Sequence, residues 1–169
     1  MTRTLALLRH AKSAYPTGVP DVRRPLADRG SRDAEAAGRL LRERVGDPDL
    51  VLVSTATRAQ ATWEQVRAAY AHPPRHMNES RIYDASVDDL LLLLREVDDA
   101  VTRLVLVGHN PGLEELAFAL SGDASEAPAL AGMSEKFPTC GLAVLTLDRS
   151  WAHVVPGVAA LRSFDVARG

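Results

Sequence analysis

Short aliphatic runs alternate with longer stretches of helical periodicity along this chain. The runs are Thr4–Leu8, Asp49–Ser54, Arg81–Tyr83, Leu104–Val107 and Leu142–Leu147, and four of the five are bracketed by turn residues or charges. They are predicted to be buried strands. Between them lie four helical patterns: "SRDAEAAGRLLRERV" with Ser31 as N-cap, "TRAQATWEQVRAAYAH", "SVDDLLLLLREV" and "NPGLEELAFAL". In the third, Ser86 and Asp89 have the spacing of a capping box; in the fourth, Asn110 caps and Pro111 occupies the first helical position. Strand and helix in alternation predict an α/β three-layer sandwich, a mostly parallel central sheet with helices on both faces. The run at 142–147 follows a long irregular segment, 121–139, so that strand need not be parallel and is expected at an edge. There are no repeats and no low-complexity linker, and one domain over 1–169 is expected.

In open α/β sheets the ligand crevice lies beyond the carboxyl ends of the strands. Arg9 and His10 follow the first run directly, in "LALLRHAKS". Ser54 and Thr55 follow the second, shortly before Arg58, and Gly108 and His109 follow the fourth. Two arginines and two histidines, far apart in sequence, are therefore predicted to share one rim.

Composition narrows what that rim can bind. With 20 basic and 22 acidic side chains the 169-residue chain has a formal charge of −2, so no general positive field points to nucleic acid or to an anionic membrane. An anion site has to be local. A single cysteine, Cys140, excludes an internal disulfide and a cysteine-based zinc cluster. Neither a signal-peptide core nor a membrane-length apolar run is present, the longest aliphatic run being Leu90–Leu94, and a cytoplasmic protein is expected. Paired guanidinium groups suit a dianion such as phosphate. A histidine held among them resists protonation and keeps a free ring nitrogen at neutral pH, able to attack phosphorus and form a covalent intermediate. A second histidine at a helix start can donate to the phosphoryl oxygens. Arginines supply the positive charge, so neither metal nor cofactor is expected.

Arg9-His10 after the first strand, "STATRAQAT" with Arg58 and Thr62, and "VGHNPGLEEL" with His109 resemble the histidine phosphatase superfamily, whose fold is phosphoglycerate mutase-like. The short chain, "RRPLADRG" at 23–30 and "FPTCGLAVLTLD" at 137–148 make it similar to the phosphohistidine phosphatase SixA branch in particular. The resemblance spans nearly the whole chain. It implies that His10 is the nucleophile, that Arg9 and Arg58 grip the phosphoryl group, and that His109 completes the pocket. Ser54 opens the second motif and shapes it. Two departures stand out: Ala11 replaces the glycine usual after Arg-His, and "RIYDASVDDL" leaves no insertion for the carboxylic acid that larger relatives carry. Asp84 is the nearest candidate acid; Asp88 and Asp89 fit a helix's first turn. A weakly supplied acid favours a substrate with a good leaving group.

The implied activity is a metal-independent phosphatase acting on phosphohistidine proteins. The alternatives are a phosphatase of a small phosphorylated metabolite, a mutase, and a non-catalytic phosphate- or phosphohistidine-binding module; a His10–His109 metal site lacks neighbouring ligands. Lys12 is expected to be solvated, Arg24 fits substrate recognition and structural pairing equally, and Thr62 is expected to face the core. His72, His76 and His153 read as surface residues, Trp63 and Trp151 as packing groups, and Cys140 as lying in or just before a strand. Physiological substrate, partner and oligomeric state are left open by the sequence.

Overall fold

A computed structural model describes residues 1–169. The strands are β1 (Arg3–Arg9), β2 (Leu50–Val53), β3 (His76–Asn78), β4 (Arg103–Gly108), β5 (Gly141–Leu147) and β6 (Ala160–Val166). The helices are α1 (Asp28–Val45), α2 (Thr57–Arg67), α3 (Val87–Arg95), α4 (Gly112–Leu120) and α5 (Ala127–Glu135). One six-stranded sheet runs in the order β3-β2-β4-β1-β5-β6. Its first four strands are parallel to one another, β5 runs antiparallel to β1, and β6 runs antiparallel to β5.

Apolar side chains project from both faces of this sheet. Leu5 and Leu7, Leu50 and Leu52, and Leu104 and Leu106 pack under α3, α4 and α5. Ala6 and Leu8, Val51 and Val53, and Val105 and Val107 pack under α1 and α2. Period-two side-chain alternation feeds both layers, which is why these strands read as unbroken aliphatic runs. Each fully buried leucine contributes roughly 1.5–3 kcal/mol of transfer free energy, so the sandwich is a stiff platform.

The structure corrects several expectations. Residues 81–83 are not a strand: Ser80–Ile82 form a 3-10 turn started by Glu79, whose carboxylate accepts from the Arg81 N–H. The third strand is His76–Asn78, exposed at all three positions, so no apolar pattern marks it. Helix α1 begins at Asp28, three residues before Ser31, because its first turn docks on the segment after His10: a Cβ at Gly30 would collide with the Lys12 carbonyl. Helix α2 ends at Arg67, ahead of Pro73-Pro74. Asn110 is not the cap of α4; Pro111 occupies that position, and the Asn110 amide donates to Glu114 and to the Phe137 carbonyl. Strand β5 is antiparallel but internal, and the edge belongs to β6, where Arg162, Ser163 and Asp165 interrupt the apolar run. The 121–139 segment contains α5, which buries only Ala129 and Met133. The capping box of α3 forms as read, with Leu90, Leu91, Leu93 and Leu94 buried and Leu92 outside.

Candidate active site

The parallel ladder β2-β4-β1 brings three strand ends side by side. Arg9 pairs with Gly108, and Val53 with Val107. Beyond the strands, the His10 N–H donates to the Gly108 carbonyl (2.9 Å) and the Ser54 N–H to the Val107 carbonyl (3.0 Å). From the other flank, the Cys140 N–H is shared between the Arg9 and His10 carbonyls (3.1 and 3.3 Å). The backbone that carries His10 is thus pinned by both neighbouring strands.

His10 is buried, 6% exposed. Its Nδ1–H donates to the Ala11 carbonyl (2.8 Å), which leaves the Nε2 lone pair free; that lone pair accepts from Arg58 Nε–H at 3.2 Å. The ring of His109 lies 5.1 Å from that of His10, centroid to centroid. His109 Nε2 is hydrogen-bonded with Ser54 Oγ (2.7 Å), while its Nδ1 is buried without a protein partner. Arg9 Nη1 donates to the Phe137 carbonyl (2.9 Å), and its Nε is also buried and unpartnered. Leaving a buried donor or acceptor unpaired costs about 1–3 kcal/mol, so His109 Nδ1 and Arg9 Nε each hold hydrogen-bonding capacity that no protein group uses.

Both imidazoles are neutral at physiological pH. Burial pushes His10 down to about 3, opposed by the Ala11 carbonyl and reinforced by His109, Arg58 and Arg9. Burial also lowers His109 to about 4, with Arg58 adding to the effect and Asp21 opposing it. Desolvation, more than like charge, therefore keeps the ring nitrogens unprotonated. Arg9 is itself shifted downward, first by burial, and is held up by Glu114.

Four of the five expected site residues, Arg9, His10, Arg58 and His109, converge here. Asp84 does not join them: it is exposed, sits in the left-handed region (φ 56°) and makes no side-chain hydrogen bond. In its place the structure brings Tyr83 and Asp21, which sequence reasoning missed. The Tyr83 ring packs edge-on against His109 at 5.5 Å, and its hydroxyl donates to Asp21 Oδ2 (2.8 Å). Asp21 also accepts from Arg58 Nη2 (3.1 Å) and Arg24 Nε (2.9 Å), and Arg58 Nη1 donates to its carbonyl (2.8 Å). The one available signal was that Asp21 is the only acid between Lys12 and Arg24.

The remaining candidates are placed as follows. Thr62 is fully buried, and its hydroxyl accepts from the Ala11 N–H (2.9 Å) and donates to the Arg58 carbonyl (2.6 Å), linking the loop after β1 to helix α2. Lys12 is exposed. Arg24 pairs with Asp21, donates to Ser13 Oγ (3.0 Å) and lies 4.0 Å from the ring centroid of the exposed Tyr15. Cys140 is buried in the turn before β5, and burial raises its thiol to about 12. No set of three or more His, Cys, Asp or Glu side chains is grouped to hold a metal ion, and no helix is long and apolar enough to cross a membrane.

A cluster of this kind can bind a phosphoryl dianion between guanidinium groups and present a bare imidazole nitrogen to phosphorus. Comparison with known proteins agrees. The family model of the histidine phosphatase superfamily (branch 1) matches residues 5–81. An uncharacterized protein of Mycobacterium tuberculosis is 44% identical over 162 residues, 95% of this chain and 100% of that protein. Among solved structures, one assigned to phosphohistidine phosphatase SixA of Nakamurella multipartitia is 27% identical, with a TM-score of 0.86 over 99% of this chain and 97% of that one. The corresponding structure from Agrobacterium tumefaciens is 32% identical, with a TM-score of 0.79 over 97% and 98%.

Proposed function

Because the chain belongs to the histidine phosphatase superfamily and has its phosphoglycerate mutase-like fold, we propose that it is a SixA-like phosphatase that removes phosphoryl groups from phosphohistidine in proteins, without a metal ion. The observation that carries this reading is the tautomer of His10: Nδ1–H is committed to the Ala11 carbonyl, so the lone pair of Nε2 is the one offered to substrate.

In the first step Nε2 of His10 bonds to phosphorus as the bond from phosphorus to the leaving imidazole nitrogen breaks, and that nitrogen keeps the electron pair. The N–H groups of Arg9 and Arg58 turn to the phosphoryl oxygens, and His109 Nδ1 stands beside them. In the second step water adds to phosphorus, the P–N bond to His10 breaks, and orthophosphate leaves. Charge collected on the phosphoryl oxygens is met by groups already in place, which costs no reorganisation during reaction.

The choice of phosphohistidine rests on the acid. The carboxylate bound to Arg58 is Asp21, and the Tyr83 hydroxyl, then Arg58 and Arg24, hold it down at about 2, so it is ionised and carries no proton to donate. A phosphorylated imidazole protonated at its other ring nitrogen departs as a neutral molecule and needs no such donor; an alkyl phosphate does.

The test is phosphate release from a phosphohistidine-bearing carrier protein, with chelator present, by wild type and by His10→Ala. Release by wild type alone is expected, with an acid-labile phosphoryl group trapped on the wild-type chain during turnover. Equal release by both proteins would remove His10 as nucleophile. Loss of activity with chelator would show a metal requirement.

A further inference from the structure

Arg58 is occupied before any substrate arrives. A guanidinium has five N–H donors. Three of them are engaged here: Nε with His10, one on Nη1 with the Asp21 carbonyl, and one on Nη2 with the Asp21 carboxylate. The same carboxylate neutralises Arg24 and accepts from Tyr83, so it is fixed from three directions although its side chain is 55% exposed. Its charge also reaches the His109 ring, where it offsets the arginines. A phosphoryl dianion entering between His10, Arg9 and His109 therefore meets an anion already seated on the guanidinium it needs.

That placement matters most at the end of the reaction. Orthophosphate carries the charge the site is built to hold, and Arg9 and Arg58, with Arg24 beyond, would retain it. Resting on the phosphatase reading above, we propose that Asp21 is a tethered counter-anion that competes with the phosphoryl group for Arg58 and so sets a low affinity for the phosphate product. It is a positioning residue: it acts through Arg58 and touches neither the nucleophile nor phosphorus. When phosphate leaves, the carboxylate recovers its full share of the guanidinium, and the charge on Arg58 is never left unpaired in a buried place.

The proposal and a merely structural role predict opposite signs. If Asp21 only braced Arg58, weakening the brace would loosen the phosphate site. If it competes, removing its charge tightens the site. Asp21→Asn keeps the size and most of the hydrogen bonds but loses one negative charge, and the exposed side chain makes a folding defect unexpected. Calorimetric titration with inorganic phosphate should give binding about tenfold tighter than wild type, the weight of one unit charge at this range in a half-exposed site. The gain should shrink as salt is added. With an activated aryl phosphate, KM and kcat should fall together as release slows. Asp165→Asn, which removes a carboxylate on β6 paired with Arg44 in the last turn of α1, supplies the charge-matched control and should bind phosphate like wild type.

Weaker or unchanged phosphate binding by Asp21→Asn, in a wild-type background that binds and turns over, overturns the proposal and leaves the phosphatase reading standing. No phosphate binding by Asp21→Asn overturns the proposal, and the absence of phosphate release by wild type as well overturns both. Equal tightening by Asp165→Asn would assign the effect to net charge and overturn the specific role of Asp21.

Discussion

In the proposed reaction Arg58 has two tasks: a donor against the His10 lone pair, which the structure shows, and a grip on substrate oxygens. Both need a planar fork, so Arg58→Ala should lower kcat/KM by on the order of a hundredfold or more through lost transition-state charge stabilisation. Arg58→Lys, a point charge without the fork, should recover little of it. Steady-state rates on an activated aryl phosphate check both; near-normal turnover by either would remove Arg58 from the chemistry. Arg9, His10, Arg58 and His109 were legible in the sequence because each stands within a few residues of a strand end, and strand ends meet at one rim. Asp21 and Tyr83 were not legible. Asp21 opens a short 3-10 turn, Asp21–Arg23, within the connection from β1 to α1, and Tyr83 lies just past another, and such connections leave no periodic trace. Like charge from the arginines, which the sequence suggests, is the lesser cause of the histidine shifts: burial leads, and burial depends on packing across the whole sheet.

Helix α2 is the element that ties Arg58 to the loop carrying His10. Its first turn carries Arg58, and one turn later Thr62 ties the Arg58 carbonyl to the Ala11 N–H through a single hydroxyl. Thr62→Val keeps the shape but strands that buried N–H. A stability loss of about 1–3 kcal/mol is expected, with a fall in kcat larger than the rise in KM, because His10 loses its register against Arg58. Urea unfolding together with steady-state kinetics reads both quantities; unchanged stability would show that Ala11 finds another acceptor. The same residue marks a limit of pattern reading. Its place on the buried face of α2 was predictable from spacing, whereas a hydrogen bond to a residue 51 positions away was not. Strand β3, strand β6 and helix α5 escaped for a related reason: β3 is exposed throughout, β6 buries only its first two residues and α5 only Ala129 and Met133, so tertiary pairing decides what local sequence leaves open.

At the scale of the whole molecule, the two neutral histidines make stability depend on pH. Folded values of about 3 for His10 and about 4 for His109 lie below the ordinary value of 6.5, so the unfolded chain binds protons that the folded chain refuses. The sign follows: their full contribution is present above pH 6.5 and is lost as pH falls toward 4 and then 3. In the steepest part each histidine withdraws about 1.4 kcal/mol per pH unit. Urea unfolding at pH 7.5, 6 and 5 should show this decline, and a His10→Gln, His109→Gln double variant should show much less. A flat profile in wild type over that range would contradict the buried, neutral state of both rings.

The ladder β2-β4-β1 has one more consequence. It sets Val53 beside Val107 and Arg9 beside Gly108, so the candidate site is stitched from segments about fifty and about a hundred residues apart in the chain. Such non-local pairings carry the loop-closure cost before any contact rewards it, and they come late in folding. A half-folded intermediate, or a nascent chain that has not yet delivered β4, holds the Arg9-His10 pair but lacks the pocket that makes it reactive. The phosphatase reading therefore predicts that activity appears only once β4 has joined the sheet and set His109 beside His10.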